Sequence, residues 1–167
     1  MLLTGSNMSL NGLNFLNPFK LPFFAIVKSE RMNKVINKEN LNGIGLLLLR
    51  ISIGLAMLLG HGLGKWSNLI EGGEIQFADP FGFGPMTSMI MAVFAEVFCS
   101  SLLIFGLLTR WALIPLLITM AVATFYVHFA DGFGGMEKAF LYFVGFVALF
   151  FTGPGKFSID ALIKSNK

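Results

Sequence analysis

Read from its N-terminal end, the chain alternates between long apolar runs and short polar or glycine-rich breaks. A hydrocarbon core of roughly 30 Å takes about 20 apolar residues in a helix. Four runs reach or approach that length, at about 43–63, 86–108, 111–130 and 136–151. The clearest is the first, GIGLLLLRISIGLAMLLGHGLGK, from Gly43 to Lys65. The second is MTSMIMAVFAEVFCSSLLIFGLL. Thr109 and Arg110 turn the chain into the third run, which carries Pro115 in its first turns, where proline is tolerated. Asp131–Gly135 links it to a phenylalanine-rich fourth run that Thr152-Gly153-Pro154-Gly155 stops. The stretch Gly64 to Pro85 reads as a long loop. Its Trp66, Phe77, Phe81 and Phe83 suit the membrane surface, where aromatic residues collect.

The expected fold is therefore an all-α integral membrane four-helix bundle over residues 41–163, with a tail at 153–167. Residues 1–40 form an N-terminal extension, expected to be disordered or interfacial. Its apolar piece, Leu10 to Val27, is interrupted by asparagine, lysine and proline and lacks the cleavage pattern of a signal peptide. Met32 opens an alternative start that would make the first 31 residues a start-site artefact.

Composition agrees with a membrane protein: 55% of residues are hydrophobic, 13% are charged and 19 are phenylalanine. The single cysteine, Cys99, excludes an internal disulfide or a CxxC redox pair, so it reads as a small packing residue. Positive charge is distributed by side. Lys20, Lys28, Arg31, Lys34, Lys38, Arg110, Lys156, Lys164 and Lys167 fall on one side of a four-span topology, and only Lys65 and Lys138 on the other. By the positive-inside rule both termini are cytoplasmic. The net charge of +3 then reflects topology rather than nucleic-acid binding.

Chemistry enters through the few ionisable residues inside the spans, which are candidate functional sites by default. At 100° per residue, Arg50 and His61 fall about 20° apart on the first span, and Lys65 about 40° further. Ser52, Ala56, Gly60 and Gly64 form a small-residue stripe of the kind that lets helices approach closely. Glu96 lies near the middle of the second span, at a depth within about 5 Å of Arg50 at 1.5 Å per residue. An Arg50–Glu96 ion pair is the expected shelter for both charges. It either fixes helix register or floors a polar cavity rising to His61 and His128, which should sit at similar depth. Two such histidines could ligate a haem or hydrogen-bond a quinone. The chain carries no CxxCH, HExxH, phosphate-loop or dinucleotide motif, and no metal site is expected.

These residues resemble the DoxX family of small bacterial membrane proteins. The resemblance rests on the first span with Arg50 and its exit HGLGK, on AEVFCSSLLIFGLLTRWALIPLLITM from Ala95 to Met120, and on the ending FVALFFTGPGKFSIDALI. It covers about Leu41 to Ile163. Its most specific part is Glu96, then Gly106-Leu107-Leu108-Thr109-Arg110, followed by Pro115 and His128. The resemblance implies a four-helix protein of the bacterial cytoplasmic membrane, related to a subunit of thiosulfate:quinone oxidoreductase and linked to membrane redox complexes. Carried over by position, Arg50, His61, Glu96 and His128 are the ligand-site candidates, and Lys65 and Arg110 are interface anchors. Three functions fit. One is the membrane subunit of a quinone-linked redox complex, and another is a scaffold recruiting soluble redox enzymes. The third is a carrier of a small lipophilic ligand.

Overall fold

A chain this apolar leaves its backbone polar groups no partner in lipid, so they must be satisfied within helices. The computed structural model describes the backbone of residues 20–166 and the side chains of residues 38–166. Among the described residues all regular structure is helical. Two compact units divide the chain, Met1–Glu39 and Asn40–Lys167. In the first, residues 20–39 are helical. The apolar piece from Leu10 as far as Phe19 lies outside the described residues. So do the side chains of Lys20, Lys28, Arg31, Lys34 and Lys167, which enter the orientation argument.

Four helices are long and apolar enough to cross a membrane: α1 (Lys38–Glu71), α2 (Pro85–Phe105), α3 (Thr109–Val127) and α4 (Phe129–Thr152). A short α5 (Ile159–Ser165) follows, capped by Ser158, whose hydroxyl accepts from the Ala161 N–H at 3.1 Å. Several span ends differ from expectation. α2 stops at Phe105 rather than Leu108, so the turn falls at Gly106–Leu108 and Thr109 and Arg110 already belong to α3. α1 does not stop at Leu63 but continues to Glu71, because Lys65, Trp66, Ser67 and Asn68 are compatible with a helix that projects beyond the apolar layer. The connection to α2 is correspondingly shorter. The link expected at Asp131–Gly135 is largely taken into α4, whose α-helical part begins at Gly132.

The helices close a ring. α1 meets α2, α2 packs on α3 and α3 on α4. α4 returns to α1 where Ile53 packs over Gly145 and His61 meets Tyr142. Met57, Cys99, Leu103, Leu113, Leu116, Phe146 and Leu149 fill the centre, all but inaccessible. Cys99 is one of these packing residues. Leu48, Leu59, Phe105, Trp111, Leu141 and Phe151 stay exposed on the outside, as lipid-facing residues would.

Three of the helices carry a π-helical turn: Leu58–Gly62 in α1, Phe94–Cys99 in α2 and Ala123–Val127 in α3. The first two touch. A Cβ on Gly62 would lie 2.7 Å from the Glu96 carbonyl oxygen, so glycine sets the distance between α1 and α2. The expected small-residue stripe is not the contact face. Ser52, Ala56, Gly60 and Gly64 are exposed, and a Cβ on either glycine would meet nothing within 4 Å. Close approach falls instead to Gly54, against Ile104, and to Gly62.

Gly62→Ala should therefore destabilise the bundle by about 1–3 kcal/mol through overpacking. Gly60→Ala should be neutral or stabilising by up to about 1 kcal/mol, since alanine is the better helix former. Thermal unfolding of both variants in detergent checks this, and equal melting would show that the α1–α2 approach is not tight.

Candidate functional site

The ionisable residues of the bundle separate into two groups at its opposite ends. Arg50 belongs to the end where α2 turns into α3 and α4 gives way to the tail. Its side chain is 2% exposed and donates to three backbone carbonyls: Ile104 at 3.4 Å, Phe157 at 2.8 Å and Pro154. The expected Arg50–Glu96 pair is not formed. Glu96 lies eight positions from Ile104 on α2, about 12 Å along the axis, so the two charges sit at different depths. The carbonyls are free to accept because Ile104 lies in the last turn of α2, where no later N–H reaches it, and Pro154 and Phe157 follow the end of α4. α2 ends at Gly106, φ 69°, whose N–H and that of Leu107 bond back to Leu103 and Leu102. Gly106 is required there twice over: for its positive φ, and because a Cβ would sit 2.6 Å from the Arg50 guanidinium.

Asp160 completes this seal. Its carboxylate accepts from the N–H of Leu108 at 2.8 Å and of Thr109 at 2.9 Å, and its own N–H donates to Gly106. Leu108 is held at φ 48°, a left-handed conformation that leucine adopts only when its surroundings impose it. Partial burial pushes the Asp160 carboxyl up. Hydrogen bonds from Thr109 and Leu108 and the Arg50 charge outweigh it and hold the group below the ordinary carboxylate value. Arg110 is exposed at the same end, with its guanidinium near Gly153.

At the opposite end the bundle opens into a cavity of about 600 Å³. α1 contributes His61 and Lys65, one turn apart on a single face. α2 contributes Ser88, Met91 and Glu96, and α3 contributes Ile118, Thr119 and Met120. His128 follows α3, Lys138 and Tyr142 project from α4, and Phe77 and Phe81 cover the cavity from the α1–α2 connection. All three π turns border it. Such turns recur at functional sites, because an added residue re-aims side chains and leaves backbone groups unpaired.

Glu96 is completely buried, and Lys65 is its partner: the ammonium donates to both carboxylate oxygens, at 2.5 and 2.6 Å. Lys65 is thus not a surface anchor but the counter-charge that Arg50 was expected to supply. It reaches Glu96 because α1 runs on past Leu63. The Phe77 ring lies 5.9 Å from the ammonium, at the outer limit of a cation–π contact. The His61 ring meets the Tyr142 ring edge-on at 5.4 Å. His128 stands at the rim, half-exposed, with Nδ1 2.9 Å from Asp131 Oδ2.

The connection is fixed where it enters α2. Asp79 accepts from Ser88 Oγ at 2.7 Å and from the N–H groups of Phe83 and Gly84 at 3.0 and 2.8 Å. The Ser88 hydroxyl, with those backbone donors, holds the Asp79 carboxyl below its usual range. Of the residues singled out from sequence, His61, Lys65, Glu96 and His128 share one cavity, while Arg50 and Arg110 lie elsewhere. Lys138 and Tyr142 join the cavity unanticipated, although their spacing of four marks one helical face. Phe77 and Asp79 have no comparable signal. Among the described residues, no cluster of three or more His, Cys, Asp or Glu could hold a metal ion.

The family model described as DoxX matches residues 45–129. That range takes in Arg50 and the α1–α3 wall of the cavity and stops before Lys138 and Tyr142. Two proteins of Haemophilus influenzae, each described as an uncharacterized protein, are similar to the chain. One is 34% identical over 130 residues, covering 74% of this chain and 85% of its own. The other is 33% identical over 135 residues, covering 74% and 94%. No solved structure matches.

Two outcomes follow for stability. Lys65→Met should destabilise by about 3–5 kcal/mol, because it strands a buried carboxylate. The double variant Lys65→Met/Glu96→Leu should recover most of that, which a double-mutant cycle on unfolding reads directly. Asp160 has a depressed folded pKa, so its contribution is fully present above the ordinary carboxylate value of about 3.9 and is lost as pH falls through the lower folded value. Asp160→Asn should reduce stability by about 1–3 kcal/mol at neutral pH. It should also flatten the acid limb of a melting-temperature profile, and an unchanged limb would remove Asp160 from the seal.

Proposed function

We propose, for a chain that belongs to the DoxX family of multi-pass membrane proteins, that it is the membrane subunit of a quinone-linked redox complex and supplies that complex with an intramembrane binding site. The observation that carries the reading is the cavity. Its volume falls within the roughly 300–1,000 Å³ usual for ligand pockets. Its walls are mainly apolar, and a buried ion pair, a histidine and a tyrosine converge on it. An apolar body with a few placed polar groups suits a lipophilic ligand with a small polar head.

In this reading His61 and Tyr142 hydrogen-bond the oxygens of a quinone head group. Glu96, with Lys65 beside it, is the site's proton-exchanging pair, and His128 with Asp131 stands at the aqueous rim. The electron donor is a separate soluble or membrane protein of the complex. With Lys and Arg concentrated on the Arg50 side, that side faces the cytoplasm of a bacterial inner membrane and the cavity opens outward.

Protein purified from its native membrane in mild detergent should carry a stoichiometric quinone, measured by solvent extraction. His61→Ala and Tyr142→Phe should lose it while keeping the wild-type melting temperature. Well-folded wild-type protein without quinone would overturn the reading.

A further inference from the structure

The polar groups around the cavity are not balanced. Both Glu96 oxygens already take Lys65, while the Ser88 and Thr119 hydroxyls spend their hydrogens on Asp79 and, at 2.9 Å, on the Pro115 carbonyl. The charged and ring donors are less fully used. Lys65 has three N–H groups and uses two on Glu96. Lys138, His61 and Tyr142 line the cavity and, among the described residues, make no side-chain hydrogen bond. The charges lean the same way. Two ammoniums, Lys65 and Lys138, face one carboxylate, Glu96. Asp79 is turned onto Ser88 and the start of α2, and Asp131 is bonded to His128 at the rim. A positive excess at the mouth of a cleft with apolar walls attracts an anion.

We propose that the cavity selects an anionic amphiphile. Its negatively charged head lodges between Lys65 and Lys138, with its chain along Phe77, Phe81, Met91 and Met120. The inference rests on the reading of the cavity as a ligand site and specifies the charge of what enters. The same chemistry is presented by an acidic hydroxyquinone, ionised at neutral pH, and by a long-chain carboxylate. A neutral quinone or an alcohol of equal length lacks it.

The test uses the full chain in neutral-lipid nanodiscs. Dodecanoate, dodecanol, a 2-hydroxy-3-alkyl-1,4-naphthoquinone and its methyl ether are the probes, each tritiated and titrated directly. Each anion should bind roughly tenfold tighter than its neutral partner, a difference of about 1.4 kcal/mol. Whichever anion binds tighter identifies the source. Lys138→Gln, at an exposed position, should weaken dodecanoate by roughly threefold or more, while Glu96→Gln removes the competing carboxylate and should tighten it by roughly fivefold. If Glu96→Gln fails to fold, the Lys138→Gln result and the charged–neutral pairs decide alone. Equal binding of charged and neutral partners would overturn the inference and leave the cavity a ligand site. Binding of the methyl ether with no binding of either anion would do the same. Absence of binding by all four compounds would overturn both readings.

Discussion

A carboxylate that no solvent reaches is costly unless a cation or strong hydrogen-bond donors meet it, and in this bundle Glu96 has Lys65. Much else answers to that requirement. α1 has to stay helical beyond the apolar layer to carry Lys65 to the right height. α2 has to approach α1 closely enough for Gly62 to touch the Glu96 backbone. The pair also separates the packed half of the bundle, centred on Leu103, Leu113 and Phe146, from the half that opens.

The two ends of the molecule solve the problem of buried charge in opposite ways. At the tail end Arg50 is spent on main-chain carbonyls, the turn after α2 is pinned by Asp160, and the polar groups there are largely consumed by one another. The ending GPGKFSID owes its composition to that seal. Gly153 and Gly155 take positive φ, Pro154 and Phe157 offer carbonyls, Ser158 caps α5 and Asp160 holds the left-handed Leu108. At the cavity end cations outnumber carboxylates. An end whose buried charge is taken up by its own backbone is a foundation, and an end with an unmatched cation is the one open to an anion.

The four spans were legible because length and hydropathy are set by the bilayer itself, which leaves a one-dimensional trace in the chain. Their ends were less so. Lys65 and Trp66 look alike in a helix that leaves the membrane and in a loop on its surface. Depth along a span is read from its centre, and where the apolar run does not mark the true ends of the helix the centre shifts by a few residues, enough to bring Arg50 level with Glu96 on paper when it lies beside Ile104. Rotation about a helix axis is harder still. The small-residue stripe of α1 satisfied the spacing rule yet faces outward, while Gly54 and Gly62 make the contacts. Nothing in the composition of Leu58–Gly62 or Phe94–Cys99 announces a π turn, because that geometry comes from how neighbouring helices interlock. Lys138 and Tyr142 could have been paired by their spacing, but only knowledge of which face looks inward would have made that pair informative.

The π turn of α1 also bears on how such a protein tolerates change in length. A π turn accommodates one residue more than the α-helix it interrupts. Removing one residue between Leu58 and Gly62 would return the turn to regular α winding and leave the helix beyond it nearly in phase, so Lys65 would stay on the face of Glu96. The same deletion in the regular stretch between Arg50 and the turn would rotate everything after it by about 100°. Arg50 would keep its seal, whereas Lys65 would swing away from Glu96. Insertions and deletions in this helix are therefore not equivalent along its length: within the turn they are absorbed, and elsewhere they uncouple the two ends of the bundle.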